Sequence, residues 1–156
     1  MQLRKLLEKW DLTSLRIKTP FLDMDWEPKD EDKNAAWELY VELITRVSTQ
    51  RVLPDEGDEA AALQSIHNLF ALTRETIKRH GRYSINFTRI AVVVLNQKVR
   101  PFTAKWHRRL LAGPLADADR QAFRAELDSL QTDLRNYTRL LADLADVEDL
   151  TDLEAV

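Results

Sequence analysis

The chain contains no cysteine, so disulfide staples, thiolate metal sites and cysteine nucleophiles are excluded. Three glycines and five prolines in 156 residues leave little material for tight β-hairpins. Those glycines, Gly57, Gly81 and Gly113, stand apart from one another, and no phosphate-cradling loop can be built from them. The longest apolar run, Ile90 to Leu95, is far short of the ~20 residues that span a bilayer. Met1 to Trp10 holds no apolar stretch of signal-peptide length. Three scattered histidines lack metal-site spacing, and no serine has the nucleophile-elbow context. These absences lead us to expect a soluble cytoplasmic protein without metal or cofactor.

One further absence is confined to a segment. From Thr76 to Ala116 there is no Asp or Glu, although the chain carries a net charge of −3. Nine cations lie there: Lys78, Arg79, Arg82, Arg89, Lys98, Arg100, Lys105, Arg108 and Arg109. The net charge is therefore +9 on this segment and −12 on the remainder. Such a split predicts either an anionic partner or mutual attraction between parts of the chain. The acidic stretches at 23–32, 55–59 and 143–154 are the expected internal partners.

What is present is helical periodicity. Phe123, Leu127, Leu130, Leu134, Tyr137, Leu141 and Leu144 are spaced alternately by four and three, which returns each to nearly the same helix face. A helix is expected from about 117 to 146, with Asp117 or Asp119 capping its start. Its heptad seam suits either the chain's own bundle or a homodimer interface through 123–144. A second helix is expected from about 58 to 80, with Leu63, Ile66, Leu69, Phe70, Thr73 and Ile77 inward and Gly81 as a left-handed stop. A third covers about 30 to 49, with Ala36, Trp37, Tyr40, Leu43, Ile44 and Val47 inward. The segment Leu53 to Gly57 reads as a loop.

Residues 84–112 are apolar on every side near Ile90–Leu95, as in a helix surrounded by others. Val92, Leu95, Val99, Phe102, Trp106 and Leu110 form its stripe, and Pro101 should kink or break it near Gln97 to Arg100. Leu3 to Trp10 suits a short helix. Leu12 to Trp26 reads as an extended segment lying across the bundle, and the acidic end, 143–156, should fray. The fold expected is a single all-α domain over 1–156. It is an antiparallel bundle of four main helices with a kinked central helix, an irregular N-terminal segment at 1–28 packed along it, and an acidic tail at 147–156.

Candidate binding residues come from the basic segment: Arg89, Lys98, Arg100, Lys105, Trp106, Arg108 and Arg109. The cations can meet an acidic protein or neutralise phosphates, and Trp106 can stack on a base. On an unbroken helix, Arg100 and His107 fall within about 20° of Arg89, with Lys98, Lys105 and Arg109 nearly opposite. His67 and Arg74 share a face beside the Leu63–Phe70 stripe and read as a polar pair at a helix contact, while Glu38 and Glu42 read as solvated.

Arg100 and His107 are seven residues apart, two helical turns, so they share a face. Over these eight residues the chain resembles the loose Arg-x(4–6)-His pattern of HEPN-type ribonucleases. The resemblance implies a small helical bundle, often dimeric with its site at the interface, in which Arg100 holds a phosphate and His107 moves a proton without metal. The sequence departs from the pattern where Pro101 replaces the polar residue often found after the arginine. Arg74-x5-His80 also fits the loose pattern, but places its two side chains about 120° apart. Two function classes follow. The first is a non-catalytic protein–protein interaction module, an adaptor or small subunit with a protein partner, of acidic character if the cations are exposed. The alternative is a HEPN-like metal-independent ribonuclease or nucleic-acid-binding helical protein.

Overall fold

In a computed structural model that describes residues 1–46 and 59–155, the protein is an all-α helical bundle with no strand among the described residues. Val47, the loop at 53–57 and the acids at 55–58 lie outside the described residues. The helices are α1 (Leu3–Lys9), α2 (Thr19–Asp23), α3 (Asp30–Ile44), α4 (Glu59–His80), α5 (Ile85–Val94), α6 (Arg100–Leu111) and α7 (Asp117–Ala145). A π-helical turn, Leu95–Val99, joins α5 to α6, and a 3₁₀ turn at Thr151–Ala155 follows α7. Helix α3 packs most extensively on α7 and also meets α4 and α5, while α6 lies against α4 and α7.

Every residue of the α7 seam is buried within its own chain, Leu130 at 5% exposure and Leu134 at 1%. The same face meets α3, so the seam serves the intrachain core. The expected homodimer interface through 123–144 is thus not free on this surface, and a dimer would have to use another face. Asp117 and Asp119 do not cap α7. The N-cap is Ala116, and the two acids stand in the first turn, where the helix dipole favours negative charge. Gly81 ends α4 as expected, with a φ of 77° that an L side chain rarely adopts.

Pro101 does more than kink a helix. It has no N–H, so an α-helical bond to the carbonyl of Gln97 cannot form. The chain widens instead, and the Arg100 N–H reaches the Leu95 carbonyl five residues back. Pro101 then occupies the first turn of α6, where no intrahelical donor is required. A one-residue insertion of this kind rotates everything after it by about 100° relative to an unbroken α-helix. The faces of α5 and α6 are accordingly out of register.

The N-terminal segment packs across the bundle through buried Leu12, Leu15 and Trp26. It is not extended throughout, because Thr19–Asp23 makes a helical turn with Pro20 near its start. Gln97 in the π turn ties it down: its amide accepts from the Arg16 N–H at 2.8 Å and donates to the Arg16 carbonyl at 2.7 Å. Lys98 adds a bond to Ser14 Oγ at 2.7 Å.

The acidic end is held rather than frayed from Glu148 to Asp152, and Val156 lies outside the described residues. Tyr40 Oη donates to the Glu148 carbonyl and accepts from the Leu150 N–H at 2.6 Å. Arg139 pairs with Asp149 and Asp152. Two expected core residues face outward: Trp37 is 47% exposed and Val92 41%. Trp37 stacks on Tyr40, with ring centroids 5.8 Å apart, and Val92 enters a surface groove described below.

Asp32 is wholly buried, and its carboxylate forms no ion pair among the described residues. Its carboxylate accepts from the Phe87 N–H at 2.9 Å, the Asn86 amide at 3.2 Å and the Lys29 N–H at 3.1 Å. It therefore caps α5 from another helix, supplying the acceptor that free amides in a first turn need.

Candidate functional site

The basic segment is not a single surface. Its candidate residues are distributed in three directions by the π turn and by α7.

The first direction leads to α7. Lys105 pairs with Glu126, Lys98 with Asp133 at 3.3 Å and Arg109 with Asp119 at 3.2 Å. All three acids lie on α7, not in the acidic stretches expected from the sequence. Asp23 binds Arg4, Asp25 and Glu27 meet the N-terminal ammonium, and Asp143 holds Lys9 and Trp10 Nε1. Glu59 pairs with Arg120 and Arg124 of α7, outside the basic segment.

Trp106 is fully buried, its Nε1 donating to Glu126 at 2.5 Å and its ring edge-on to Phe123. It is unavailable for stacking on a base. Burial works to raise the Glu126 pKa, but the hydrogen bonds from Lys105 and Trp106 outweigh it and hold the carboxyl below its ordinary value. At the end of α4, Arg79 and His80 both meet Glu38, which is half-buried rather than solvated. Glu42 pairs with Arg46. Arg108 is exposed in the last turn of α6 and forms no ion pair among the described residues.

The second direction is the α4–α6 cleft, a cavity of about 390 Å³. The expected pair, Arg100 and His107, lines it from α6, and His67 and Arg74 line it from α4. The two imidazoles stand edge-to-face with centroids 5.2 Å apart. Arg100 donates from Nε to Asn96 Oδ1 at 3.1 Å, and its guanidinium lies 4.9 Å from the centre of the Phe70 ring. No acid lines the cleft, and none pairs with Arg74 or Arg100 among the described residues. Sequence reasoning found each i, i+7 pair on its own helix. His67 and Arg74 read as a polar pair at a helix contact, and nothing local says that the helix opposite is α6.

The third direction is a groove between the N-terminal segment and α5, about 710 Å³ in volume. Its floor is apolar: Ile17, Pro20, Phe21, Met24, Val92 and Val93. Its polar lining among the described residues consists of Arg16, Lys18, Thr88 and Arg89, with no acid. Arg89 lies over the Phe21 ring at 4.8 Å, so it extends the apolar wall while keeping its charge at the rim. Of the expected binding residues, Arg89 alone reaches this groove, and Arg16, Lys18 and the apolar floor were not singled out.

Among the described residues no group of His, Asp or Glu could hold a metal ion, and no helix is long and apolar enough to cross a membrane. Comparison with protein-family models, with curated proteins and with solved structures finds no match to this chain.

Proposed function

We propose that the protein is an interaction module, an adaptor or small subunit of a larger assembly, that binds an acidic amphipathic segment of a partner protein in the groove between the N-terminal segment and α5. One observation carries this reading: an apolar floor with Met24 and Val92 each 41% exposed, rimmed by Arg16, Lys18 and Arg89 with no acid in the lining among the described residues. Exposed apolar surface bounded by charge marks interaction sites. A helix laying apolar anchors into such a groove is a recurring recognition mode. The charge of the rim selects an occupant with Asp or Glu beside its anchors and repels a basic one. The absence of cysteine suits a reducing, cytoplasmic setting.

The test is affinity capture from the native host with the full chain, Val92→Asp and Arg89→Glu, and Gln121→Ala as a control on the exposed face of α7. A partner retained by the control and lost by both groove variants supports the reading. A partner captured equally by all four proteins refutes it.

A second reading, metal-independent RNA cleavage, is favoured by one observation: Arg100 and His107 line the same cleft. It predicts scission of single-stranded RNA in the presence of a chelator, abolished by Arg100→Ala and by His107→Ala with the fold intact by circular dichroism.

A further inference from the structure

The α4–α6 cleft has a property that neither protein docking nor RNA cleavage requires. His67 and Arg74 on α4 repeat the seven-residue spacing of Arg100 and His107 on α6, so each helix presents one guanidinium and one imidazole to a common space. We propose that this cleft is a binding site for a phosphate group, free or carried on a small ester, and that capture of the anion is coupled to proton uptake by His67 and His107.

The positive charge of the cleft is unbalanced among the described residues. Arg74 and Arg100 are permanently cationic and have no acid partner among the described residues. The other polar lining groups, Asn68 and Thr103, are neutral, and Asn96 in the π turn engages Arg100 through its side-chain oxygen. Glu75 follows Arg74 on α4 but does not line the cleft.

Two imidazoles 5.2 Å apart, flanked by two guanidinium groups, repel one another if both take a proton. A dianion held beside them in the cleft reverses that balance. Anion binding must therefore favour the protonated rings, and protonation must favour the anion by the same factor. The bond from Arg100 Nε to Asn96 and the stacking on Phe70 fix the guanidinium plane and leave its terminal nitrogens for bidentate oxyanion contact. The cleft shares no lining residue with the N-terminal groove, so the two sites stand or fall separately.

Sulfate is the decisive probe because it stays divalent where histidine changes charge, between pH 5 and 8. Calorimetric titration of the full chain, at constant ionic strength and in two buffers of different ionisation heat, reads affinity and proton uptake together. We expect sulfate to bind about tenfold more tightly at pH 5.5 than at pH 8, the factor that corresponds to one pKa unit of coupling, with protons taken up on binding. Arg74→Ala with Arg100→Ala should abolish binding at both pH values. His67→Asn with His107→Asn should keep the pH 8 affinity and lose both the pH dependence and the proton uptake. Glycerol phosphate against inorganic phosphate, compared at pH 8, distinguishes a carried phosphate from the free ion by which binds more tightly. Absence of sulfate binding at both pH values overturns the proposal. So does a pH dependence that survives the double histidine substitution.

Discussion

Removing the Asp32 carboxylate tests the packing of α3 on α5 directly. Asp32→Ala leaves three donors, the Phe87 N–H, the Asn86 amide and the Lys29 N–H, without their acceptor. A hydrogen bond to a charged group contributes about 1.5–3 kcal/mol, and a buried donor left unmade costs about 1–3 kcal/mol. Because the three share one carboxylate, their losses are not additive, and we expect a total of about 3–5 kcal/mol. In a chain of this length that lowers the melting temperature by about 10 °C.

Asp32→Asn is the sharper control. One carboxylate oxygen receives the Phe87 N–H while the other receives both Asn86 and Lys29. Whichever way an amide is turned, its NH₂ group faces a donor. Asp32→Asn should therefore lose about 2–3 kcal/mol, despite its equal size. Urea titration followed by circular dichroism measures both variants. A loss below about 1 kcal/mol for Asp32→Ala, or an Asp32→Asn variant as stable as the parent, would refute the assignment of Asp32 as the cap of α5.

Three further outcomes follow from single sites. Gln97→Ala removes both bonds to the Arg16 backbone; it should cost about 1–2 kcal/mol and speed amide exchange at Arg16, with unchanged exchange there counting against the tether. The folded-state pKa of Glu126 is depressed, so its stabilisation is present above the unfolded value near 4.5 and is lost as pH falls through the lower folded value. Glu126→Gln should flatten stability over that acid range, and an unaltered pH profile would remove the Lys105–Glu126–Trp106 group from the account. Burial pushes the Tyr137 phenol up, and its hydroxyl has no hydrogen-bond partner among the described residues. Tyr137→Phe should therefore leave stability unchanged or raise it by about 1 kcal/mol, whereas a clear loss in urea titration would reveal a partner.

Local features were the legible ones. The seam of α7 could be read because a 4-3 spacing places seven large apolar groups on one face, and Gly81 could be read because few other residues tolerate its backbone. Pro101 announced a break, but not its form. Whether a missing donor gives a kink, a stop or an added residue depends on neighbouring elements, here Gln97 and Lys98 reaching to Arg16 and Ser14. That added residue is why Arg89 lies in one site and Arg100 with His107 in another.

Trp106 belongs to the inward stripe as its spacing says, but its role as a stacking ring for a base does not hold, for a similar reason. An exposed basic helix and a buried one look alike until Glu126, twenty residues later, is seen receiving its indole N–H. The capping of α5 by Asp32 spans 55 residues, and no local pattern encodes it. His67 and Arg74 carried the right spacing, but their meaning depended on which helix stood opposite.

The central claim, that the groove beside α5 receives an acidic amphipathic segment, is tested most directly by a photocrosslinking amino acid placed at Val92 and, as control, at Gln121. Both proteins would be irradiated in the native host and the joined peptides sequenced by mass spectrometry. The account predicts that position 92, unlike position 121, joins to one protein through an apolar stretch flanked by Asp or Glu. Equal labelling at the two positions, or a basic segment joined at position 92, would contradict it.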